Sequence, residues 1–377
     1  MRTVLVTGAA GFIGSNFVRH VLQTHPDWRV VVLDKLTYAG NLANLADIER
    51  QYGAADQGTR ATHDTFRYRF VRGDICDRQL VNSLFSGAYS TRHPSPPTHH
   101  PLKIDVVVNF AAESHVDRSI LDASAFIETN IKGTQVLLEA ARQYPVDRFV
   151  QISTDEVYGA LGEEGVFTEG SPLKPNSPYA ASKTAADVLC SAYHKTYGVP
   201  VVITRSSNNY GPYQFPEKLV PLMIRNALVG KELPVYGEGK QVRDWLYVED
   251  NCRAIDMVLQ RGRTGEVYNI GGDCEKRNIE IVCLICEMLA SELKERNEAK
   301  DLKRLITYIK DPRGAAHDFR YALGCAKLQT ELGWKPKVGL KEGMIGTVRW
   351  YLKNQDWVEN VITGDYQDYY EKVYGVR

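Results

Sequence analysis

Short apolar runs alternate with helical patterns along the first part of this chain, and this rhythm limits the fold more than any other feature. The apolar runs cover residues 3–7, 29–34, 68–72, 104–110, 147–152 and 200–205. The helical patterns between them cover 12–24, a short stretch near 44–49, 78–85, 122–143 and 179–197. Strands that alternate with helices form a parallel sheet with helices on both faces. The rhythm therefore predicts an α/β fold built on a Rossmann-type, doubly wound parallel sheet.

Beyond residue 206 the rhythm breaks into shorter pieces separated by Pro and Gly. Helical patterns in this part lie near 216–229, 249–260, 278–296 and 339–353. The sequence thus predicts two domains, a sheet domain over residues 1–206 and mainly a smaller C-terminal α/β lobe over residues 207–377. Some of the later chain is expected to return to the sheet.

Two stretches interrupt the rhythm of the first part. Residues 52–66 are small and polar, and residues 86–103 are rich in Pro and His, so neither is suited to a packed core. Both stretches connect a helix to the next strand, whereas open α/β sheets bind ligands at the opposite edge, where strands run into helices. We therefore predict that both loops lie away from the active site.

Composition excludes several classes of partner. Lys plus Arg and Asp plus Glu both number 46, so no field favours nucleic acid or an anionic membrane. No apolar stretch reaches the ~18–20 residues that cross a bilayer, and the first strand begins too close to Met1 to leave room for a signal peptide. The 7 cysteines are scattered, which predicts reduced thiols in the cytoplasm. Cys283 and Cys286 lie in an apolar helical pattern without a second Cys or His pair, so we predict no metal site.

A glycine-rich turn follows the first predicted strand. Gly8, Gly11 and Gly14 permit a tight turn, close approach of the backbone to a pyrophosphate, and close packing of helix on strand. Asp34 ends the second strand 20 residues after Gly14, where a carboxylate binds ribose hydroxyls and repels the 2′-phosphate of NADP. The turn therefore predicts an NAD site, although Asp34 on its own is equally compatible with a cap at the strand end.

Other strand ends extend this predicted NAD site. Asp74-Ile75 closes the third strand in a position to contact adenine, and Ala111-Ala112 follows the fourth strand with side chains small enough for a dinucleotide to lie against the backbone. The predicted cofactor residues up to this point are Gly8, Gly11, Phe12, Ile13, Gly14, Asp34, Lys35, Leu36, Thr37, Asp74, Ile75, Ala111, Ala112, Tyr179 and Lys183.

Tyr179 and Lys183 lie one helical turn apart at the start of a helical pattern. A Tyr hydroxyl ionises near pH ~10, but a positive charge one turn away favours the phenolate. Tyr179 would then take the proton of a sugar hydroxyl while a hydride leaves for NAD. The alternative is a helix with a surface Lys and a buried Tyr, a spacing that also occurs by chance.

Thr154, Asp155 and Glu156 follow the apolar run 148–152 at an end of the sheet that faces the nicotinamide in this fold. Thr154 is placed to hydrogen-bond the same sugar hydroxyl. A ketone at C4 acidifies the C5–H bond, so one carboxylate is suited to remove that proton, and the other, protonated, to assist departure of the C6 hydroxyl. The motif favours a sugar dehydratase over a plain dehydrogenase; the other interpretation is two solvated turn residues.

With these motifs the chain resembles the dTDP-glucose 4,6-dehydratases of the extended short-chain dehydrogenase/reductase family. The resemblance covers nearly the whole chain outside the two loops. Its segments are Gly8–Gly14, Asp34–Asn41, Ala111–Ser119, Ser153–Gly159, Tyr179–Lys183, Ser207–Pro212, Phe215–Leu219 and Gln241–Trp245. The glycines and the Tyr/Lys pair are common to the superfamily, whereas Thr-Asp-Glu and Phe-Pro-Glu-Lys are much more specific.

The resemblance implies oxidation at C4 by NAD, loss of water across C5–C6 and return of the hydride to C6, giving dTDP-4-keto-6-deoxyglucose. It makes Tyr179 the oxidation base, Asp155 the acid at the C6 hydroxyl and Glu156 the base at C5. It also places Thr154 and Ser114 at the hexose. Thr129 and Asn209 are implied near the cofactor.

The resemblance further implies that residues 207–377 bind the nucleotide. The residues that match are Asn208, Lys218, Leu219, Pro234, Tyr236, Arg243 and Asn278. Lys218 and Arg243 suit a diphosphate and Tyr236 suits a base; ordinary surface charges are the other interpretation of the two cations. The chain departs from the family at 311–317, where Arg and Pro are exchanged and two alanines are added. Arg313 and His317 stay among the candidate substrate residues.

A homodimer is implied as well, in which the helices around 122–143 and 179–197 form a four-helix bundle. The apolar positions Phe126, Ile127, Ile131, Val136 and Leu137 fit this interface. They fit packing on the sheet equally well.

Three rival functions remain. A nucleotide-sugar 4-epimerase needs NAD and the Tyr/Lys pair but no acid and base at C5–C6, so Asp155 and Glu156 argue against it. A 4,6-dehydratase that acts on another nucleotide sugar shares every motif. A non-catalytic NAD-binding protein is disfavoured because Thr154, Tyr179 and Lys183 are all intact.

Overall fold

The computed structural model describes residues 1–53, 66–89, 103–295, 301–314 and 317–362. Most of the two interrupting loops lies outside these residues. The prediction that the loops are remote from the active site therefore concerns residues outside the described ones. Among the described residues, no helix is long and apolar enough to span a bilayer.

The chain divides into two compact units. Unit 1 comprises Met1–Val157, Ser177–Arg205 and Cys252–Tyr268, and unit 2 comprises Tyr158–Asn176, Ser206–Asn251 and Asn269–Arg377. The predicted boundary at residue 206 is adjacent to one of these transitions. Two segments depart from a single division at residue 206: residues 158–176 precede it but belong to unit 2, and residues 252–268 follow it but belong to unit 1.

The strands and helices follow the predicted rhythm closely. The strands are β1 (Arg2–Thr7), β2 (Trp28–Asp34), β3 (Tyr68–Arg72), β4 (Val106–Asn109), β5 (Arg148–Thr154), β6 (Val201–Ser206), β7 (Asn208–Tyr210), β8 (Leu233–Tyr236), β9 (Val242–Tyr247), β10 (Val267–Ile270), β11 (Glu275–Arg277) and β12 (Ile306–Ile309). The α-helices are α1 (Phe12–Thr24), α2 (Ala46–Tyr52), α3 (Arg78–Phe85), α4 (Val116–Leu121), α5 (Ser124–Phe126), α6 (Thr134–Gln143), α7 (Pro178–Tyr197), α8 (Leu219–Leu228), α9 (Val248–Arg261), α10 (Asn278–Glu295), α11 (Ala326–Leu332), α12 (Leu340–Lys353) and α13 (Gln355–Val361).

The main sheet has seven strands in the order β10–β6–β5–β4–β1–β2–β3. β1 pairs in parallel with both β2 and β4, and β4 pairs in parallel with β5. The chain therefore moves outward from β1 to β3 and then crosses back to β4, which makes the β1/β4 boundary the switch point where such sheets bind ligands. The predicted doubly wound Rossmann-type fold is confirmed.

The strands lie at the centre because their apolar runs are continuous rather than alternating. Val4–Val6 and Val106–Val108 are completely buried, and Val30–Leu33 is nearly so. A strand covered by helices on both faces needs apolar side chains in both directions. This arrangement places the polar residues at the strand ends, where a ligand site can form.

The predicted helix over 122–143 is several elements instead of one. α4 and α5 precede a π-helix at Ile127–Gly133, and α6 continues from it. A Cβ on Gly133 would lie 2.3 Å from the Ile75 Cδ1 atom, so a larger side chain there would require the Ile75 side chain to shift. π-Helical turns of this kind are frequent at functional sites.

Helix α7 begins and ends where its sequence directs. The Ser177 hydroxyl accepts from the Ala180 amide at 3.1 Å, and Pro178 occupies the first turn. Gly198 ends the helix with φ +73°, a left-handed conformation that glycine adopts without a Cβ clash. This start fixes Tyr179 and Lys183 in the first two turns.

Unit 2 contains two small sheets. β9 pairs with β11 in antiparallel and with β7 in parallel, and β8 and β12 form a parallel pair in which Tyr236 lies opposite Ile309. Helix α10 packs against α8 and α12. The smaller α/β lobe predicted for the C-terminal part is therefore present.

Candidate active site

The strand end at Thr154 holds the predicted carboxylates in one tight turn. β5 ends at Thr154, and residues Asp155–Tyr158 continue directly as a 3-10 turn. The Thr154 hydroxyl donates to the Asp155 Oδ1 atom at 3.1 Å and accepts from the Glu156 amide at 3.3 Å. The Asp155 side chain is only 2% exposed, and Glu156 is half-buried. These are constrained residues of the sheet edge rather than a solvated turn.

Tyr179 lies at the same place. Its hydroxyl hydrogen-bonds to Thr154, and its ring meets Phe126 edge-on at 6.3 Å between centroids. Burial raises the pKa of the Tyr179 phenol, and the carboxylates of Glu156 and Asp155 raise it further. The structure therefore brings Thr154, Asp155, Glu156 and Tyr179 together, and both carboxylates are close enough for their charges to raise the pKa of the phenol.

Lys183 is buried one turn further along α7. Its ammonium Nζ donates to the Ile152 carbonyl at 2.6 Å, which ties the helix to β5 two residues before Thr154. Burial lowers the pKa of Lys183, and the Asp187 carboxylate opposes that change. The strongest charges acting on the Tyr179 phenol are carboxylates, so the expectation that Lys183 favours the phenolate stays a prediction.

The glycine turn is shaped for close backbone contact. Gly8 has φ +67°, and a Cβ there would lie 2.5 Å from the Ala111 amide nitrogen. A Cβ on Gly14 would lie 2.7 Å from the Ala9 Cα atom. The first and third glycines are thus required by the close packing of the turn on the backbone around it.

Asp34 is joined to this turn. One carboxylate oxygen accepts from the Ala10 amide and the other from the Leu36 amide, both at 2.8 Å. Burial raises the pKa of Asp34, and the two amides oppose that shift. The cap interpretation and the ribose interpretation coexist, since each carboxylate oxygen has a second lone pair.

Replacing Gly8 with Ala is expected to destabilise unit 1 and to weaken NAD binding. The positive φ alone costs about 1–3 kcal/mol, and the Cβ displaces the Ala111 backbone. Thermal unfolding and fluorescence titration with NAD measure the two effects. Gly162→Ala is the matched control, because a Cβ there meets no atom within 4 Å; equal behaviour of both variants would contradict the assignment.

The remaining predicted cofactor residues have different environments. The Lys35 ammonium and Asp74 carboxylate form an ion pair at 2.7 Å. Ile75 points into the core, where it packs against Gly133, so only its backbone is left for adenine. Thr129 lies in the π-helix, half-buried. The other predicted residues of unit 1 lie at element starts and ends: Phe12 and Ile13 at the start of α1, Thr37 after β2, and Ala111, Ala112 and exposed Ser114 after β4.

Unit 2 gathers four of the predicted nucleotide residues. The Arg313 guanidinium lies 5.5 Å from the Tyr236 ring centroid, and the His317 ring meets the same Tyr236 ring edge-on at 6.2 Å. Burial and the charges of Arg313 and Arg243 lower the pKa of His317 to about 4. His317 also hydrogen-bonds to Asp311. This cluster joins two cations, an aromatic ring and an imidazole, which suits a phosphorylated aromatic ligand.

The other predicted nucleotide residues lie at element starts and turns of unit 2. Arg243 is buried on β9 and donates to the Asp318 carbonyl at 2.9 Å. The turn after β8 packs on the start of α10, since a Cβ on Gly239 would lie 2.9 Å from the Ile279 Cβ atom. The positions in this part are Asn208 and Asn209 on β7, Lys218 and Leu219 at the start of α8, Pro234 on β8 and Asn278 at the start of α10.

Comparison with known proteins identifies the family of this chain. Residues 5–347 match the family described as GDP-mannose 4,6 dehydratase. The dTDP-glucose 4,6-dehydratase of Xanthomonas campestris pv. campestris (strain ATCC 33913) is 51% identical over 376 residues, which are 97% of this chain and 98% of that protein. The enzyme named dTDP-glucose 4,6-dehydratase 1 from Escherichia coli K12 is 47% identical over 99% of both chains. The chain belongs to the dTDP-glucose 4,6-dehydratase family.

Solved structures give the same fold. The dTDP-glucose 4,6-dehydratase of Bacillus anthracis, crystallised with NAD, superimposes with a TM-score of 0.79 at 44% identity, covering 96% of this chain and all of that one. The UDP-glucose 4-epimerase of Thermotoga maritima superimposes with a TM-score of 0.76 at 28% identity, covering 94% of this chain and 99% of that one. The rival epimerase thus shares the fold at much lower identity.

Sequence reasoning missed a structural link in this dehydratase-family chain. Asn130, fully buried in the π-helix, donates to the Ser182 hydroxyl at 2.8 Å and to the Glu113 carbonyl at 3.0 Å, and it accepts from the Glu113 amide. It therefore joins the loop after β4 to the helix that carries Tyr179. An Asn followed three residues later by Gly133 inside an apolar helical pattern was the available signal.

Proposed function

We propose that this protein dehydrates dTDP-glucose to dTDP-4-keto-6-deoxyglucose, as a hydro-lyase. The observation that carries the proposal is the joint position of Asp155, Glu156 and Tyr179 around Thr154 at one strand end. Close relatives over nearly the full chain bear the name of that activity. When bound, NAD supplies the redox chemistry by accepting a hydride from C4 and returning it at C6.

The residues of unit 1 fit NAD. Gly8 and Gly14 leave the turn without side chains where a pyrophosphate would lie. Asp34 stands at the end of β2 with lone pairs for ribose hydroxyls. The buried carboxylate there disfavours a 2′-phosphate, so NAD rather than NADP is expected.

The reacting groups divide the proton transfers among themselves. Tyr179, hydrogen-bonded to Thr154, is assigned to remove the proton of the C4 hydroxyl. Glu156 is assigned to remove the C5 proton once C4 is a ketone, and to return a proton to C5 when C6 is reduced. Asp155 then gives its proton to the C6 hydroxyl, so that the C6–O bond breaks and water leaves. Lys183 is held beside them at the Ile152 carbonyl.

For the nucleotide, the cluster in unit 2 is assigned to the diphosphate and base. Arg313 and Arg243 supply two fixed cations, of which Arg243 is also stacked on Tyr321 at 4.4 Å. Tyr236 supplies an aromatic face for the base. The exchange of Arg and Pro at 312–313 still leaves Arg313 over Tyr236.

The experiment that tests this function uses dTDP-, UDP-, CDP- and GDP-glucose as substrates. Formation of a 4-keto sugar is followed by its near-ultraviolet absorbance in alkali. Turnover of dTDP-glucose well above the others is expected. An epimerised product without keto-sugar absorbance would favour the 4-epimerase, and bound NAD without turnover on any sugar would favour a non-catalytic protein.

We propose in addition that the protein is a homodimer, as the resemblance implied. Phe126, Val136 and Leu137 are buried within the chain, so these three positions are packing residues. Ile127 is 58% exposed on the π-helix and Val188 55% exposed on α7, two elements that pack on one another. Apolar side chains exposed on adjacent helices are typical of a surface that a second copy covers.

Replacing Ile127 and Val188 together with Glu is expected to produce a monomer. The two substitutions place four charges in a two-fold symmetric interface, where they would be buried without solvation. Size-exclusion chromatography with light scattering measures the mass at micromolar concentration. Val166→Glu is the control, since Val166 is equally exposed but lies in unit 2; a wild-type mass of one chain would contradict the dimer.

A further inference from the structure

Near Thr154, Asp155 and Glu156, unit 1 contains a row of three buried charges, and the mechanism above involves only one of them, Lys183. Lys183, Asp187 and Arg205 have exposures of 5%, 1% and 4%. Lys183 and Asp187 are four residues apart on α7, so their side chains lie on the same face of the helix. The Arg205 Nε atom, on β6, donates to the Asp187 Oδ2 atom at 2.9 Å.

Such a row is costly as a structural element. Each buried charge loses its hydration, and replacing a buried ion-pair triad with apolar side chains is often neutral or stabilising. Apolar packing surrounds the row, since Cys190 and Ile203 nearby belong to the buried core. Stability alone therefore does not explain why three charges occupy this position.

Lys183 is the member of the row that bonds to β5. The Arg205 Nε atom donates to the Asp187 carboxylate, and the Lys183 ammonium donates to the Ile152 carbonyl at 2.6 Å. Lys183 is thus the member of the row next to Thr154, Asp155 and Tyr179. The Asp187 carboxylate, bonded to Arg205, lies one helical turn from Lys183 and acts on its ammonium through its charge.

We infer that Asp187 and Arg205 are positioning residues for the reaction: they keep Lys183 charged and fixed at the strand end that carries the reacting groups. The inference rests on the proposed function. Without Asp187 the buried ammonium would have no compensating carboxylate, and its desolvation would favour the neutral amine. Arg205 in turn keeps Asp187 ionised.

Named groups of unit 1 act on Lys183 and Asp187. Burial lowers the pKa of Lys183, while Asp187 and Cys190 raise it. Burial raises the pKa of Asp187, while Arg205, Lys183 and Ser153 lower it. Asp187 also raises the pKa of the Tyr179 phenol, after burial, Glu156 and Asp155. Removing Asp187 consequently lowers the pKa of Lys183, which opposes the reaction, and lowers the pKa of the Tyr179 phenol, which favours it. The pH dependence of kcat separates these two effects.

The experiment compares wild type with Asp187→Asn in the NAD-loaded full chain, measuring kcat and KM for dTDP-glucose across pH. If Asp187 acts through Lys183, the alkaline limb of kcat moves to lower pH by about one unit or more. At the wild-type optimum kcat is expected to fall about 10-fold or more, with KM changed less than about 3-fold. Arg205→Lys is expected to shift the same limb in the same direction by less.

A matched control is Asp256→Asn in α9. Asp256 is also buried in unit 1, with carboxylate oxygens 3.0 Å from His20 and from His25. This variant should lose stability without moving the pH profile. An Asp187→Asn enzyme that only loses stability would overturn the inference. A shift of the acidic limb of the kcat–pH profile to lower pH, with an increased kcat, would also overturn it, because Asp187 would then act on the Tyr179 phenol directly.

A measurement on the wild type covers the case in which Asp187→Asn does not fold. Lysine labelled with ¹³C at Cε reports each ammonium by NMR, with Lys183→Arg identifying the resonance. Lys183 is expected to stay protonated across the pH range in which the enzyme turns over, and a neutral amine there would overturn the inference. This result does not depend on the substrate, so failure of the proposed function, seen as no keto sugar from wild type, is a separate outcome.

Discussion

Replacing Glu156 with Gln is expected to stop the reaction after C4 oxidation and to reduce formation of the 4-keto-6-deoxy product by about 10³-fold, within the range for loss of a general base. Gln keeps the size of the side chain and the backbone bond from residue 156 to the Thr154 hydroxyl. It removes the group that takes the C5 proton. It also removes a charge that raises the pKa of Tyr179, so oxidation itself should not be impaired.

Two measurements locate the block. Absorbance of reduced nicotinamide should accumulate in a single turnover, and deuterium from solvent should no longer enter C5. Glu139→Gln is the control, because Glu139 is a surface residue of α6 that bonds to Tyr193 and Arg142. Normal product formation by the Glu156 variant would mean that the base at C5 is a different group.

Replacing Tyr179 with Phe is expected to abolish the first step and so the whole cycle, by about 10²–10⁴-fold. The ring keeps its contacts in the small cluster with Val116 and Phe126, so the loss isolates the hydroxyl. That hydroxyl is the hydrogen-bond partner of Thr154 and is the group assigned to the C4 proton. NAD binding should be nearly unchanged.

The matched control lies on the same helix. Tyr193 is also largely buried, and its hydroxyl donates to Glu139 at 2.6 Å, so Tyr193→Phe removes a phenol of α7 far along the helix from the strand end. It should cost some stability and leave kcat near the wild-type value. A Tyr179→Phe enzyme that still forms reduced nicotinamide in a single turnover would contradict the assignment of Tyr179 as the oxidation base.

Local signals predicted the framework of unit 1 closely. Helices 12–24 and 78–85 have the predicted bounds, and the strand ends lie within one or two residues of the apolar runs in most cases. These signals succeed because burial on both faces demands continuous apolar residues and because turns demand Gly at fixed places. The segment 122–143 departs from this rule, since it contains a π-helix at Ile127–Gly133 that the apolar pattern did not indicate.

Some residues of the candidate site were indicated by local sequence, and others were identified only by their contacts in the structure. The chain order alone indicated Thr154, Asp155, Glu156, Tyr179 and Lys183, because a strand end and a helix start are local features. It did not indicate Asn130 or Asp187, whose partners Ser182, Glu113 and Arg205 are identified only by their three-dimensional contacts. Nor could it show that Ile75 packs into the core instead of facing outward.

The amino-acid order was sufficient to predict the order of strands and helices, the glycine turn, and which side chains can exchange protons. Three-dimensional contacts were needed to show which of these side chains meet, that Asp155 is buried against the Thr154 hydroxyl, and that Lys183 reaches the Ile152 carbonyl. The reason is the distance along the chain over which each interaction acts. Backbone propensity and apolar periodicity act over a few residues, whereas desolvation and charge pairing depend on neighbours that folding brings from distant parts of the chain.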